Sequence, residues 1–246
     1  MRKLIYCLVC LVFCAASAVY GKNVVLKRRY GSRTIYVRQI RTGGDIDGIP
    51  LKGQELEQAA IRFFEMMDKV PLKLISASGL RQVGFYKNLK LNKAPAAGIA
   101  SGNIMYLAEN FSEKTFYHEL FHVFDNVSRS TRWNKCNHKD FVYTGSAFES
   151  RNTTGRKAKK KRKNLEEKRF DDDFVSRYAM SEEKEDRAET FAFMMVEGAK
   201  FMERAKKSDA IKKKMQYIIE ATGNNRVLGK NFWSLHLGID TKEYFR

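Results

Sequence analysis

His118 and His122 stand four positions apart with Glu119 between them, in the run Tyr117-His118-Glu119-Leu120-Phe121-His122-Val123-Phe124-Asp125. On a helix two imidazoles at that spacing project from the same side one turn apart, so both can reach one divalent ion while the glutamate lies beside them. The residue types suit zinc, with a carboxylate at hand to take a proton from water. The chain has four histidines, and two of them fall in this pattern. The motif is short, and the site needs a third ligand.

The pattern works only if the segment is helical. Asn110 or Ser112 can serve as N-cap, Glu113 stands where a reciprocal capping carboxylate belongs for Asn110, and no Gly or Pro interrupts the run to Val127. Phe116, Leu120, Phe121, Phe124 and Val127 would bury most of the circumference, which suits a central helix whose histidines face a cleft. Asp125 shares the side of the histidines and is expected to hydrogen-bond a ligand or brace the helix.

A second acidic helix is expected from Ser181, its N-cap candidate, through Ala192. Glu185, Ala188, Glu189 and Ala192 share one face, where the small alanines allow close approach to another helix. Acidic groups on a packed face call for a cation, and the helix dipole accounts for Glu182 and Glu183 but not for Glu189. His138, Glu149 and Asp186 remain rival third ligands, although none lies on an equally organised helical face.

The ordered pair of motifs, His118-Glu119-x-x-His122 with Asp125 and then Tyr178 seven residues ahead of Glu185 in a Glu-x-x-Ala-Glu-x-Phe helix, resembles the anthrax lethal-factor catalytic domain. It is similar also to the secreted Pro-Pro endopeptidases of that superfamily. The likeness runs from about Ile99 to Ile219; this chain departs in carrying a long basic insertion between the motifs. The resemblance implies an α+β, zincin-like metallopeptidase domain of the gluzincin type, with a small sheet, one helix bearing the histidines and a second bearing the glutamate ligand. It implies zinc (Zn2+) held by His118, His122 and Glu185, Glu119 as general base, Tyr178 assisting the transition state, and a protein or peptide substrate. Asp125 and Glu189 are then expected behind the ligands.

The remaining chain must position these groups. Met1-Arg2-Lys3, the apolar run from Leu4 to Ala15 and Ala16-Ser17-Ala18 read as a secretory signal peptide over residues 1–18, so a secreted location, extracellular or periplasmic, is expected with no membrane span after cleavage. Cleavage would remove three of the four cysteines and leave Cys136, so the fold would rest on its core and not on disulfides. Residues 19–50 read as a hairpin around Gly31-Ser32 followed by a loop, residues 51–222 as the catalytic body, and 223–246 as a tail docked on it through Phe232, Trp233, Leu235 and Leu237.

Within the body a helix is expected over 51–70, strands at 72–76 and 84–86, a basic loop at 87–95, and a hairpin over 98–107 whose second strand runs to the metal helix and could offer its free edge to an extended peptide. Another amphipathic helix is expected from Ser208 to Ala221, ending at Gly223. The insertion at 155–169 is densest from Arg156 to Lys163, where seven of eight residues are basic. Such a run stays solvated, and with the net charge of +18 it suits an anionic surface or polymer as partner. An anionic-polymer binder on the same scaffold is the alternative reading, and a monomer is expected.

Overall fold

The computed structural model describes residues 25–125, 132–145, 170–224, 227–228 and 230–240. The proposed signal segment 1–18, Glu149 and the basic insertion lie outside the described residues. A mixed sheet and a set of helices make the fold α+β. Among the described residues no helix is long and apolar enough to cross a membrane.

The sheet is built from β1 (Leu26–Tyr30), β2 (Arg33–Val37), β3 (Ile46–Pro50), β4 (Gln82–Leu91), β5 (Ala94–Pro95), β6 (Gly98–Ser101) and β7 (Ile104–Ala108), with the main order β1-β2-β4-β7-β6. β1 and β2 form the expected hairpin, with Gly31 at φ 60° in the turn. β2 then pairs parallel to β4 and β4 parallel to β7, while β6 returns antiparallel to β7. The parallel pairings need crossovers, and helices α1 (Gly53–Asp68) and α2 (Leu72–Ser78) lie within the one from β2 to β4. On α1, Leu56, Ala59, Ala60, Phe63, Phe64 and Met67 are buried at helical spacing.

Several expectations are corrected. Leu72 to Ser76 is not a strand but the start of α2: Pro71 sits at its N-cap, Gly79 ends it at φ 78°, and Leu74, Ile75 and Ser78 are buried at helical spacing. Residues 87–95 are not a loop, since β4 runs on to Leu91 and turns through Asn92 and Lys93, both at positive φ, into β5. Residues 46–50 also pair with that extension as β3. The strand ahead of the histidine-bearing helix, β7, has β4 on one side and β6 on the other, so its edge is not free; β6 ends the main order.

Helix α3 (Glu113–Asp125) follows β7 and packs against β6, β7, α2 and α4. The C-terminal helices are α4 (Glu183–Glu197), α5 (Phe201–Lys207), α6 (Asp209–Asn224) and α7 (Lys230–Leu237). Gly223 falls inside α6, so it does not end that helix where expected. Phe191, Met194, Met195, Phe201 and Trp233 all enter the main core.

Candidate metal centre

Helix α3 starts where Ser112 Oγ accepts the Thr115 N–H at 3.0 Å. Its Phe116, Leu120 and Phe121 are buried in the main core, while His118 and His122 face α4. Helix α4 starts after Glu182; Ser181, the expected cap, instead donates to the Tyr178 carbonyl at 2.7 Å. Ala188 and Ala192 are fully buried and let the two helices approach. Arg187 fastens the contact: Nε donates to Asp125 Oδ2 at 2.8 Å and Nη1 to Glu183 Oε1 at 2.5 Å.

That packing brings Glu185 to the paired imidazoles. His118 Nε2 and His122 Nε2 are 3.0 Å apart, and each lies 3.1 Å from Glu185 Oε2. Behind them His118 Nδ1 lies 2.9 Å from Glu189 Oε1. With a proton on Nδ1 donated to Glu189, the neutral His118 ring turns a lone pair toward a second imidazole and a carboxylate oxygen. Three electron-rich atoms on one centre repel unless a cation joins them. Tetrahedral zinc at about 2.0–2.1 Å would space its ligands roughly 3.3 Å apart, close to the observed triangle. One oxygen and two imidazole nitrogens are also a donor set that suits zinc, so the residues fit the metal.

The electrostatics carry the same demand for positive charge. Burial would lower the pKa of His118, but the hydrogen bonds with Glu185 and Glu189 outweigh it and raise it to about 10. Burial would raise Glu185, yet His118 and His122 hold it well below the usual carboxylate range. Glu189 is likewise lowered, the His118 hydrogen bond overcoming its burial. A proton and a metal ion would compete for this place.

Glu119 and Tyr178 border the same cleft. It has a volume of ≈ 290 Å³ and is lined by Gly98, Lys114, His118, Glu119, Tyr178 and Glu189 together with the Pro95–Ala97 wall. Glu119 is buried, and burial raises its pKa above that of an ordinary carboxyl. Gly98 of β6 lies against it so closely that a Cβ there would stand 2.5 Å from Glu119 Cγ. The Tyr178 ring centroid is 5.8 Å from that of His118. Burial first, then the charge of Glu185, pushes the phenol pKa upward, so the hydroxyl keeps its proton.

The two rival ligands among the described residues, His138 and Asp186, are elsewhere. His138 is exposed, accepts the Asp140 N–H at 3.2 Å and lies tilted against Phe170 with ring centroids 5.6 Å apart. Asp186 is fully buried, where its Oδ2 meets Lys214 Nζ at 3.0 Å and accepts from Trp133 Nε1 at 3.0 Å and the Tyr143 hydroxyl at 2.8 Å. Among the described residues, His118, His122 and Glu185 are the grouping of His, Cys, Asp and Glu that could hold a metal ion. Sequence reasoning missed Gly98, Lys114, Ser176 and Arg187. Only Ser176, two positions ahead of Tyr178, carried a local signal, as a hydroxyl able to cap a short turn.

No curated protein matches the chain. Among solved structures it is similar to a Bacteroides caccae protein described as a "putative zinc-binding metallo-peptidase", with a TM-score of 0.49 and 14% identity over 81% of this chain and 85% of that one. A family model described as "Putative zinc-binding metallo-peptidase" matches residues 68–230, well over half of the chain and the whole of the segment that carries the three converging residues. The chain therefore belongs to that zinc-binding metallopeptidase family.

Proposed function

We propose that the chain is a secreted zinc-dependent endopeptidase of the gluzincin type, with a zincin arrangement resembling the lethal-factor catalytic domain. His118, His122 and Glu185 would hold the ion, and the catalytic body spans residues 51–222. The observation that carries this reading is the convergence of two Nε2 atoms and one carboxylate oxygen at 3.0–3.1 Å, with Glu119 one residue from the first ligand and facing the same cleft.

An ion held by His118, His122 and Glu185 would supply a more acidic water and a polarised peptide carbonyl. Glu119 then acts as general base, accepting the water proton on its carboxylate and delivering it to the departing amine. Burial raises its pKa, which makes the carboxylate a better acceptor in the first half of that transfer. Tyr178, protonated throughout, donates a hydrogen bond to the oxygen on which negative charge develops. Glu189 keeps the His118 ring oriented, and Asp125 with Arg187 keeps the two helices in register.

Glu119→Gln tests the reading. The variant is expected to bind about one zinc per chain and to lose about 10²–10⁴-fold in kcat. Digestion of a mixed peptide library, with new termini mapped by mass spectrometry, gives both the activity and its sequence preference. Cleavage persisting at the wild-type rate in Glu119→Gln, or no cleavage by zinc-loaded wild type, would overturn the proposal.

A further inference from the structure

Glu189 is itself held from two sides. Its Oε1 meets His118 Nδ1 at 2.9 Å, its Oε2 accepts the Ser176 hydroxyl at 2.6 Å, and Lys114 Nζ lies 3.5 Å from that same Oε2. The Ser176 oxygen is used twice, because it also accepts the Ala179 backbone N–H at 3.1 Å. That second bond closes the turn Ser176-Arg177-Tyr178-Ala179, and Tyr178 leaves this turn toward His118. One hydroxyl thus touches the carboxylate that orients a metal ligand and the turn that presents the phenol.

We infer that Ser176 is a positioning residue that sets the His118 ring through Glu189 and the Tyr178 phenol through its turn, so that the two stay in register; this rests on the zinc-peptidase reading above. A carboxylate held at one oxygen can still rotate about its last bond and carry the hydrogen-bonded imidazole with it. Ser176 supplies the second hold. Lys114 does not replace it: its side chain is partly exposed, 3.5 Å from Glu189, and its ammonium also lies 4.8 Å over the Phe193 ring. A flexible ammonium is a point charge that tolerates many carboxylate orientations, whereas a short hydroxyl bond selects one. Lose the hydroxyl and the Ala179 N–H loses its acceptor, which loosens the entry to a turn whose far side is still held by the Met180 N–H on the Arg177 carbonyl and the Ser181 N–H on the Tyr178 carbonyl.

The test uses the full chain as wild type, Ser176→Ala, Ser176→Thr, Glu189→Gln and the Ser176→Ala/Glu189→Gln double variant. Zinc affinity is read by competition with a chromogenic chelator, ligand geometry by the visible spectrum of the cobalt(II)-loaded protein, and kcat and KM on a quenched fluorescent peptide selected from the library by wild type. Ser176→Ala is expected to bind zinc about tenfold more weakly, to shift the cobalt bands, and to lower kcat with KM near wild type. Ser176→Thr, which keeps the hydroxyl, is expected to restore all three. In the Glu189→Gln background, Ser176→Ala is expected to add little further loss of zinc affinity, because its route to His118 is already altered.

Zinc affinity and cobalt spectrum unchanged by Ser176→Ala, or full additivity with Glu189→Gln, would overturn the inference. Should Ser176→Ala fail to fold, Ser176→Cys, close in size but a weak donor, is read by the same criteria. A wild type that binds zinc yet cleaves no peptide would defeat the peptidase reading alone, since affinity and spectrum still decide the part played by Ser176.

Discussion

Carboxyl groups only a helix apart are driven in opposite directions in this molecule. Burial raises Glu119 beside Gly98, whereas the two imidazoles hold Glu185 ionised despite its burial. Separation of that kind is how one cleft can keep one acid as an ion ligand and leave another free to trade a proton. A quieter case is Cys136, a buried thiol pushed by burial from its ordinary 9.0 up to about 11. Because the folded pKa is the higher one, its contribution to stability is complete below pH 9 and is lost as the pH rises toward 11. At pH 8 only about one such thiol in a thousand is ionised, so a thiol reagent is expected to label Cys136 in the native protein far more slowly than in urea, as peptide mapping would show. Of the site residues, His118, Glu119 and His122 were legible in sequence because their relation is local and helical. Ser176, Lys114 and Gly98 were not, because what they touch lies up to 75 positions away and no periodicity encodes it.

At the scale of elements, the readable pieces were those with a strong period or clear ends: the β1–β2 hairpin, α1, the β6–β7 hairpin and α3. The α+β class was what the family resemblance implied, and these elements agree with it. Helix α2 was misread because seven residues give too little helical repeat, and Leu72-Lys73-Leu74 alternates like a strand. β4 was cut short because Lys87 and Lys90 resemble a solvated loop, although the strand is central to the sheet and gains β3 and β5 along that stretch. The contact of β6 with α3 has a sharp requirement. A side chain at position 98 must displace the buried Glu119, so Gly98→Ala is expected to keep zinc content near wild type, to lower the melting temperature by about 5 °C, and to lower kcat by about 10²-fold, the scale set by a misplacement near 1 Å. Parallel zinc analysis and steady-state kinetics check it. The tie between α3 and α4 is of another kind: burial raises the Asp125 pKa, while Asp125 and Glu183 raise that of Arg187 against its own burial, and the two short bonds of Arg187 fix how the helices approach.

For the molecule as a whole, the centre joins residues 63 and 67 positions apart on two separate helices. Zinc that binds only the folded chain must stabilise it, by about 4 kcal/mol at a free concentration near a thousand times Kd. For a domain of this size that corresponds to a melting temperature higher by roughly 10 °C than after chelation, which calorimetry with and without a chelator would measure. A chain meeting the ion before it has folded can offer two imidazoles from one nascent turn, but the carboxylate arrives only when α4 docks on α3. The complete set of three donor atoms therefore exists only where those two helices have met, and a polypeptide in which they are still apart holds two imidazoles and no more.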